Sequence, residues 1–265
     1  MVQLNTIPIV KGTFPNNEKY FIKTSDNITQ WDNHTSKFAL TQIITVIFEN
    51  NSDIFDALLY KKYLDDLGYE KVILEIPFMP YGQMDREMPD KIFTFKYFAQ
   101  LINDAKFYKV LFCDPHSRVM EAAIERAHIR YGSLDGFNEY KLFYPDAGAA
   151  SKYSEIYNKP YLYGQKKRNL ETGEIIGYEV IAEQEDVRNR RILIRDDICM
   201  KGGTFKMAAK ALNEMGAAQV DLYISHLMPQ SKEFFENREQ YGIKNIYTLN
   251  TLGLDWVPDE MIMPY

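Results

Sequence analysis

The sequence predicts an α/β fold with mostly parallel sheets that helices cover on both faces. Along nearly the whole chain, short apolar runs alternate with stretches whose apolar residues recur at helical spacing. Strands that alternate with helices pair mostly in parallel, because each helix crosses back over the sheet. Acidic residues follow several of the predicted strands, and such sheets bind ligands outside the carboxyl ends of their strands. A small ligand is therefore predicted to bind at these strand ends.

The first half of the chain follows this pattern. Its strands are apolar runs, and its helices carry apolar residues at intervals of three and four. The predicted elements are, in order, a strand at 42–48, a helix capped by Ser52 and Asp53 and reaching about Leu67, a strand at 71–78, a helix at 94–105 and a strand at 109–113.

The second half repeats the rhythm of strand, acidic loop and helix. This repetition suggests duplicated domains, at 1–136 and 137–265, joined near 133–140. The predicted elements are, in order, a strand at 142–144, a helix at 150–157, a strand at 191–195, a helix capped by Thr204 and ended by Gly216, and strands at 220–225 and 245–249.

Bulk properties narrow the class of protein. The chain has 265 residues, of which 46% are hydrophobic and 26% charged, a composition typical of a globular protein. The net charge of -6 argues against nucleic acid as the partner, because binding its backbone usually needs a basic excess. Cys113 and Cys199 lie far apart, which favours a reducing compartment over a disulfide framework. With neither a signal-peptide pattern at the start nor a run of ~20 apolar residues, we expect a soluble cytoplasmic protein without membrane partners.

The strongest local signal is an apolar strand that runs into two acids, then a glycine-rich loop and a helix. The two acids, Asp196 and Asp197, are able to accept hydrogen bonds from vicinal ribose hydroxyls. Gly202 and Gly203, before Thr204, allow close backbone approach, and the helix N-terminus favours a phosphate. The plainer alternative is a strand-to-helix turn with two solvated acids. The segment resembles the ribose-phosphate loop of the type I phosphoribosyltransferase fold.

Further stretches occur in the order found in the ribose-phosphate diphosphokinases, also called phosphoribosyl pyrophosphate synthetases. Each match is short, but the ordered set covers nearly the whole chain. The stretches are Thr13-Phe14 with Glu18, PYGQMDR at 80–86, CDPH at 113–116, YPDAG at 144–148, Lys166-Lys167-Arg168, the acidic loop at 196–204 and Ser225-His226. The chain is therefore identified as similar to this family.

The resemblance implies two phosphoribosyltransferase-like domains and an enzyme that transfers pyrophosphate from ATP, with Mg²⁺, to the anomeric hydroxyl of a ribose, releasing AMP. It also implies a homo-oligomer built from dimers, in which Phe14 stacks on the adenine bound to a neighbouring subunit. The implied ATP-binding residues are Phe14, Glu18, Gln83, Asp85, Arg86 and His116; the metal ligands are His116 and Asp146; the catalytic pair on a mobile loop is Lys166 and Arg168; and the ribose and phosphate site is Asp196, Asp197, Lys201, Gly202, Gly203 and Thr204.

Several of these residues have a plainer explanation from the sequence alone. His116 is explained as well by an ordinary loop histidine, and Asp146 by a cap for the helix that follows it. Lys166 to Arg168 would equally form a solvated basic loop. A single aromatic residue such as Phe14 near a strand usually belongs to the core.

Departures from the family pattern leave the acceptor and the activity open. Met200 and Lys201 replace the third acid and the first threonine of the usual D-D-x-x-D-T-G-G-T loop, and Gln83-Met84 replaces the usual Arg-Gln. The acceptor is ribose 5-phosphate or a ribose with a larger 5-substituent, of which ADP-ribose, in NAD biosynthesis, is the natural candidate. The alternatives are a nucleobase phosphoribosyltransferase, which generally needs the acid missing at Met200, and an inactive regulatory homologue, which the altered Gln83 and Met84 would suit.

Overall fold

The computed structural model describes residues 1–22, 41–168 and 175–264, without the side chains of residues 167, 168, 175 and 176. The chain forms two compact units, Met1–Tyr131 and Gly132–Tyr265. The predicted assignment of an ATP-side domain to 1–136 and a ribose-side domain to 137–265 stays a prediction.

The first unit contains a sheet with helices packed against it. Its elements are β1 Val2–Leu4, β2 Ile7–Pro8, β3 Lys11–Thr13, β4 Lys19–Phe21, β5 Thr41–Val46, α1 Asn51–Asp66, β6 Lys71–Glu75, α2 Thr94–Asp104, β7 Lys109–Cys113, α3 Arg118–Ala123 and β8 Ala127–Arg130.

The sheet of the first unit has the strand order β2-β1-β5-β6-β7-β8. Its last four strands pair in parallel, whereas β1 pairs antiparallel with both β2 and β5. Helix α2 buries Phe95, Phe98, Ala99 and Ile102 in the core, a spacing that places all four side chains on one face. The strands β3 and β4 form a separate antiparallel pair.

The second unit has the same layered plan. Its elements are β9 Tyr140–Tyr144, α4 Ala147–Tyr157, β10 Tyr161–Arg168, β11 Ile175–Ile181, α5 Gln184–Val187, β12 Arg191–Cys199, α6 Gly203–Glu214, β13 Gln219–Leu227, α7 Lys232–Glu236 and β14 Ile246–Thr248, with short 3₁₀ helices at Pro229–Ser231, Arg238–Tyr241 and Asp259–Met261.

The sheet of the second unit has the strand order β11-β10-β9-β12-β13-β14. Only the edge pair β10 and β11 is antiparallel within this sheet. One face of β12 contributes Ile192 and Ile194 to a core that also contains Phe205, Ala208 and Leu212 of α6. These two mostly parallel sheets with packed helices confirm the predicted α/β class.

Three predicted helix starts are wrong, because the caps of α1 and α6 were misassigned and α4 begins at Ala147 instead of Ala150. Helix α1 is capped by Asn50, whose side chain accepts from the backbone N–H of Ser52 while Asp53 accepts from the N–H of Asn50. Helix α4 begins at Ala147, directly after Asp146, and α6 begins at Gly203 after a left-handed Gly202, not after a Thr204 cap.

Two further findings concern membrane-spanning helices and the two cysteines. Among the described residues, no helix combines the length and apolar character that crossing a bilayer requires. Cys113 and Cys199 are both buried and free, as the spacing of the two cysteines predicts.

Candidate active site

The acidic pair of the second unit lies inside a strand, whereas the sequence predicts it after one. Strand β12 continues through Cys199 because β13 pairs with it in parallel as far as Leu227. Asp197 is buried, and Asp196 is half-buried. The backbone N–H of Asp197 donates to Oδ1 of Asp196 at 2.9 Å. Strand pairing therefore holds the backbone of both carboxylates at the carboxyl end of the sheet.

The glycine-rich segment leads directly into the N-terminus of α6. Gly202 has φ 74°, a left-handed conformation that favours glycine, and a Cβ there would lie 2.3 Å from the ring of Phe234. Among the described residues, no side chain caps this helix. The first-turn N–H groups are therefore suited to a bound anion. Lys201 is exposed next to them, and Met200 is 41% exposed.

Lys166, the predicted catalytic lysine, forms an ion pair with Asp146, the predicted metal ligand of the second unit. Nζ of Lys166 lies 3.4 Å from Oδ2 of Asp146. Oδ1 of Asp146 accepts from the backbone N–H of Ala149 at 3.0 Å, so this carboxylate also caps α4. The capping explanation of Asp146 is therefore confirmed, and its role as a metal ligand stays a prediction.

The loop predicted around Lys166 is a strand at this point. Lys166 pairs with Tyr178, and Arg168 with Ile175, in the antiparallel pair of β10 and β11. The sequence analysis assigned no strand to 175–181, although the β-branched and aromatic residues of this segment are typical of one. The Arg168 side chain and residues 169–174 lie outside the described residues.

The pKa of Asp196, one of the two acids, is strongly shifted by its surroundings. Burial raises the pKa of Asp196, and the neighbouring carboxylates of Asp197 and Asp146 raise that pKa further, so it lies well above the usual aspartate value. Tyr178 belongs to the same cluster, because its hydroxyl donates to the carbonyl of Pro145 at 2.8 Å, next to Asp146. The cluster therefore favours binding of a cation or of hydroxyl donors.

The predicted ATP-side residues of the first unit form a different environment. Asp85 is buried, and Arg86 donates to its Oδ1 at 3.0 Å. Burial alone would raise the pKa of Asp85, but neighbouring donors and the charges of Arg86 and His116 outweigh burial and lower that pKa. His116 and Gln83 are exposed. Asp114 is fully buried, so the acid beside His116 is part of the interior.

Phe14 is exposed at the tip of the β3–β4 pair, not buried in a core. The Phe14 side chain is 51% exposed, and its ring centroid lies 4.6 Å from that of Tyr20. The backbone N–H of Phe14 donates to the carbonyl of Glu18 at 2.8 Å, so the two predicted adenine-side residues are neighbours.

The carboxylates of the second unit suit a hard divalent cation such as Mg²⁺. In the described part of the chain, no group of three or more histidine, cysteine or carboxylate side chains could together hold a metal ion. Mg²⁺ is usually bound through one or two carboxylates together with waters and substrate phosphates. Asp146 and Asp196 interact closely enough to raise the pKa of Asp196, and a bound cation would relieve that repulsion.

Sequence reasoning missed two residues of this region, Tyr178 and Arg195. Tyr178 lies on the unpredicted strand β11. Arg195 precedes the acidic pair and is fully buried, although an arginine at the end of an apolar run normally indicates the place where a strand reaches solvent. The only signal in the sequence is its position beside two predicted site residues.

Comparisons with known proteins agree with the fold and with the resemblance to the family. No protein-family model matches the chain. The chain is 24% identical over 265 residues to a ribose-phosphate pyrophosphokinase of Saccharolobus solfataricus, covering 94% of this chain and 87% of that protein. It is 23% identical over 267 residues to a ribose-phosphate pyrophosphokinase of Sulfurisphaera tokodaii, with the same two coverages.

A solved structure supports the same fold. The phosphoribosylpyrophosphate synthetase of Mycobacterium smegmatis matches with a TM-score of 0.68 at 17% identity, covering 97% of this chain and 84% of that chain. The fold is thus of the phosphoribosyltransferase-like α/β class. The relatives confirm the predicted resemblance to the ribose-phosphate diphosphokinases, and they support an enzyme similar to those proteins.

Proposed function

We propose that the chain transfers a pyrophosphoryl group from ATP to the anomeric hydroxyl of a 5-substituted ribose, as part of cytoplasmic nucleotide or NAD biosynthesis. The anomeric oxygen attacks the β-phosphorus, and the bond from that phosphorus to the oxygen of the α-phosphate breaks. AMP leaves, and the sugar keeps the β- and γ-phosphates as a 1-pyrophosphate. The observation that supports this proposal most directly is the cluster of Asp146, Lys166, Asp196 and Asp197 in the second unit.

The acidic pair would bind the sugar. Asp196 and Asp197 would accept hydrogen bonds from its two vicinal hydroxyls, and those donors would offset the crowding of negative charge around Asp196. The first turn of α6, at Gly203 and Thr204 after Gly202, would hold the 5-phosphate through backbone N–H groups. Both ends of the sugar are then fixed by one continuous segment, which leaves the anomeric hydroxyl oriented for attack.

Lys166 would supply positive charge to the transferring group. Its ammonium group now lies against Asp146, and transfer would require it to exchange that contact for phosphate oxygens. We propose the same role for Arg168. Pyrophosphoryl transfer needs positioning and charge neutralisation more than covalent help, so a lysine and an arginine at this point suit the chemistry.

Mg²⁺ would complete the charge balance. Asp146 is the proposed Mg²⁺ ligand of the second unit, where its charge helps to raise the pKa of Asp196. His116 is the proposed Mg²⁺ ligand of the first unit. When bound, the ion would neutralise the phosphate oxygens of ATP. In the first unit, Arg86 and Gln83 would contact the phosphates, and Asp85 would hold Arg86 in place.

The adenine site would involve a second copy of the chain. Phe14 is exposed at the tip of a hairpin, where an aromatic face is available for stacking on a base. Glu18 lies beside it in the same turn. We therefore propose a dimer-based homo-oligomer in which these residues complete the nucleotide site.

The acceptor is the finer part of the proposal. Met200 and Lys201 are both exposed beside the α6 N-terminus. A bound 5-substituent would therefore contact the flexible apolar side chain of Met200 and the positive charge of Lys201. A terminal phosphate would use the charge of Lys201, and so would the diphosphate of ADP-ribose. The proposal therefore covers ribose 5-phosphate and ADP-ribose.

The test offers each sugar separately with ATP and Mg²⁺ and identifies the products by mass spectrometry. AMP together with a sugar that has gained a pyrophosphoryl group is the expected result, and the sugar that reacts identifies the acceptor. Absence of AMP with both sugars, from protein shown to be folded by circular dichroism, would refute the proposal.

A further inference from the structure

Arg195 is a fully enclosed charged residue in the second unit, with 0% of its surface exposed. It directly precedes the acidic pair on β12. Placing a guanidinium in the interior costs free energy unless its N–H groups are satisfied and its charge is balanced. The hydrogen bonds and aromatic rings around the guanidinium therefore indicate its structural role.

The guanidinium connects the acid-bearing strand to its neighbours. Its Nη1 donates to the main-chain oxygen of Asp196 and, at 3.3 Å, to that of Tyr223 on β13. Its Nη2 donates to Oγ of Ser225 at 2.8 Å, and its Nε to the hydroxyl of Tyr157 on α4 at 3.2 Å. One side chain thus joins the end of β12 to the next strand and to a helix.

Three tyrosines enclose the same group, and we call them the tyrosine box: Tyr153, Tyr157 and Tyr223. The guanidinium carbon lies 4.5 Å from the ring centroid of Tyr153, 4.6 Å from that of Tyr223 and 5.9 Å from that of Tyr157. Aromatic faces attract a cation, most strongly where water is excluded. The tyrosine box therefore fixes the orientation of the guanidinium as well as its position.

Alternation along β12 relates Arg195 to the two acids. Successive strand residues point to opposite faces, so Arg195 and Asp197 share one face and Asp196 points to the other. Arg195 also holds the carbonyl of Asp196. It therefore restrains one acid through the backbone and lies on the same face as the other.

We infer that Arg195 is a positioning residue that fixes the direction of Asp196 and Asp197, so that the vicinal hydroxyls of the sugar meet a rigid pair of carboxylates. The inference rests on the proposed function of these acids in sugar binding. It predicts that loss of the guanidinium weakens sugar binding while nucleotide binding is kept.

The test compares Arg195→Met with a matched control on the same strand, Arg191→Met. Arg191 also lies over a tyrosine ring, 4.3 Å from the centroid of Tyr140, but it is at the opposite end of β12 and partly exposed. Arg195→Met should raise the KM for the sugar about tenfold or more and leave the KM for ATP within about twofold. Arg191→Met should change neither KM by more than about twofold.

Ser225→Ala keeps the test decisive if Arg195→Met fails to fold. This variant removes one hydrogen bond of the guanidinium with little change in volume, and it should raise the sugar KM about threefold to tenfold. Equal increases in both KM values, or a fall in kcat that matches a loss of folded protein, would overturn the inference.

Calorimetric binding of ribose 5-phosphate and, separately, of ADP-ribose distinguishes this inference from the proposed reaction. If the wild type releases no AMP, the reaction proposal fails, but a loss of affinity of about tenfold for the bound sugar in Arg195→Met would still support the positioning role. Unchanged affinity in that variant, or a wild type that binds neither sugar, would overturn it.

Discussion

The two units shift the pKa of an aspartate in their predicted ligand sites in opposite directions. In the first unit, Asp85 has Arg86 and His116 beside it, and their charges lower its pKa. In the second unit, burial and the carboxylates of Asp197 and Asp146 raise the pKa of Asp196. The first acid is stabilised in its charged form by its own unit, whereas the second is destabilised in that form.

This difference indicates different tasks. An acid already balanced by an arginine is suited to hold that arginine in place, as we propose for Asp85 and the ATP phosphates. An acid close to other acids favours ligands that carry positive charge or hydroxyl donors. We propose that Asp196 binds the sugar hydroxyls and lies beside the Mg²⁺ ligand Asp146 for this reason. Functional sites commonly contain such unfavourable clusters, because ligand binding relieves them.

The largest effect is expected from removing the positive charge of Lys166, which lies beside Asp146 in the second unit. Lys166→Ala should lower kcat by about 10²–10³-fold, the typical cost of losing one charge-stabilising group in the transition state. Steady-state AMP formation measures this. Lys159→Ala, at an exposed lysine near Asn138, is the control and should keep wild-type kcat. A Lys166→Ala enzyme within twofold of the control would remove Lys166 from the mechanism.

A second comparison between the units uses glycines of the two predicted ligand loops. A Cβ at Gly202 would strike the Phe234 ring at 2.3 Å and would force a left-handed alanine, which together should cost about 2–4 kcal/mol of unfolding free energy. A Cβ at Gly82 would meet the flexible side chain of Met120, so Gly82→Ala should cost only about 1 kcal/mol.

Denaturant unfolding of both variants tests this order. Gly203→Ala serves as the stability control, because a Cβ at Gly203 meets nothing within 4 Å, and its unfolding free energy should stay within about 0.5 kcal/mol of wild type. Equal losses for Gly82→Ala and Gly202→Ala would show that the ring of Phe234 does not constrain the loop.

Asp196→Asn should stabilise the second unit at neutral pH by about 1 kcal/mol, because it removes a carboxylate that its surroundings disfavour. The advantage should shrink as the pH falls through the raised folded-state pKa, below which Asp196 is uncharged in the wild type. The sugar KM should rise in the same variant. Thermal unfolding over a pH series measures the first effect, and a variant less stable than wild type at pH 7 would contradict the assigned charge environment.

An effect of similar size and opposite sign is expected for Asp85→Asn. Because the folded state lowers the pKa of Asp85, its charge stabilises the fold above the unfolded-state pKa of about 3.9 and loses that contribution as the pH falls through the folded-state pKa. The variant should be about 1 kcal/mol less stable at pH 7. The same pH series should show the difference disappear in acid; a difference that persists there would show that it does not come from ionisation.

The sequence predicts the core strands and helices well, because their apolar periodicity is local. Strand β7 is found where predicted, and α2 differs from its prediction by one residue. The motifs also predict the acids that cluster in the second unit. These predictions share a cause: a buried parallel strand and the acids near its carboxyl end are contiguous in the chain.

The features that the sequence analysis missed depend on which strands pair with each other. Strand β12 continues through its two aspartates because β13 supplies partners there, and Lys166 lies on a strand because β11 pairs with it. The enclosure of Arg195 needs tyrosines from α4 and β13 together. No local pattern in the sequence encodes those contacts.

The most direct test of the proposed reaction is the balance of nucleotide products during turnover with ATP, Mg²⁺ and the reacting sugar. Quantitative ³¹P NMR should show one AMP formed for each 1-pyrophosphorylated sugar, with no AMP in the absence of sugar. ADP as the main product, or AMP formed at the same rate without sugar, would contradict pyrophosphoryl transfer to a ribose by this chain.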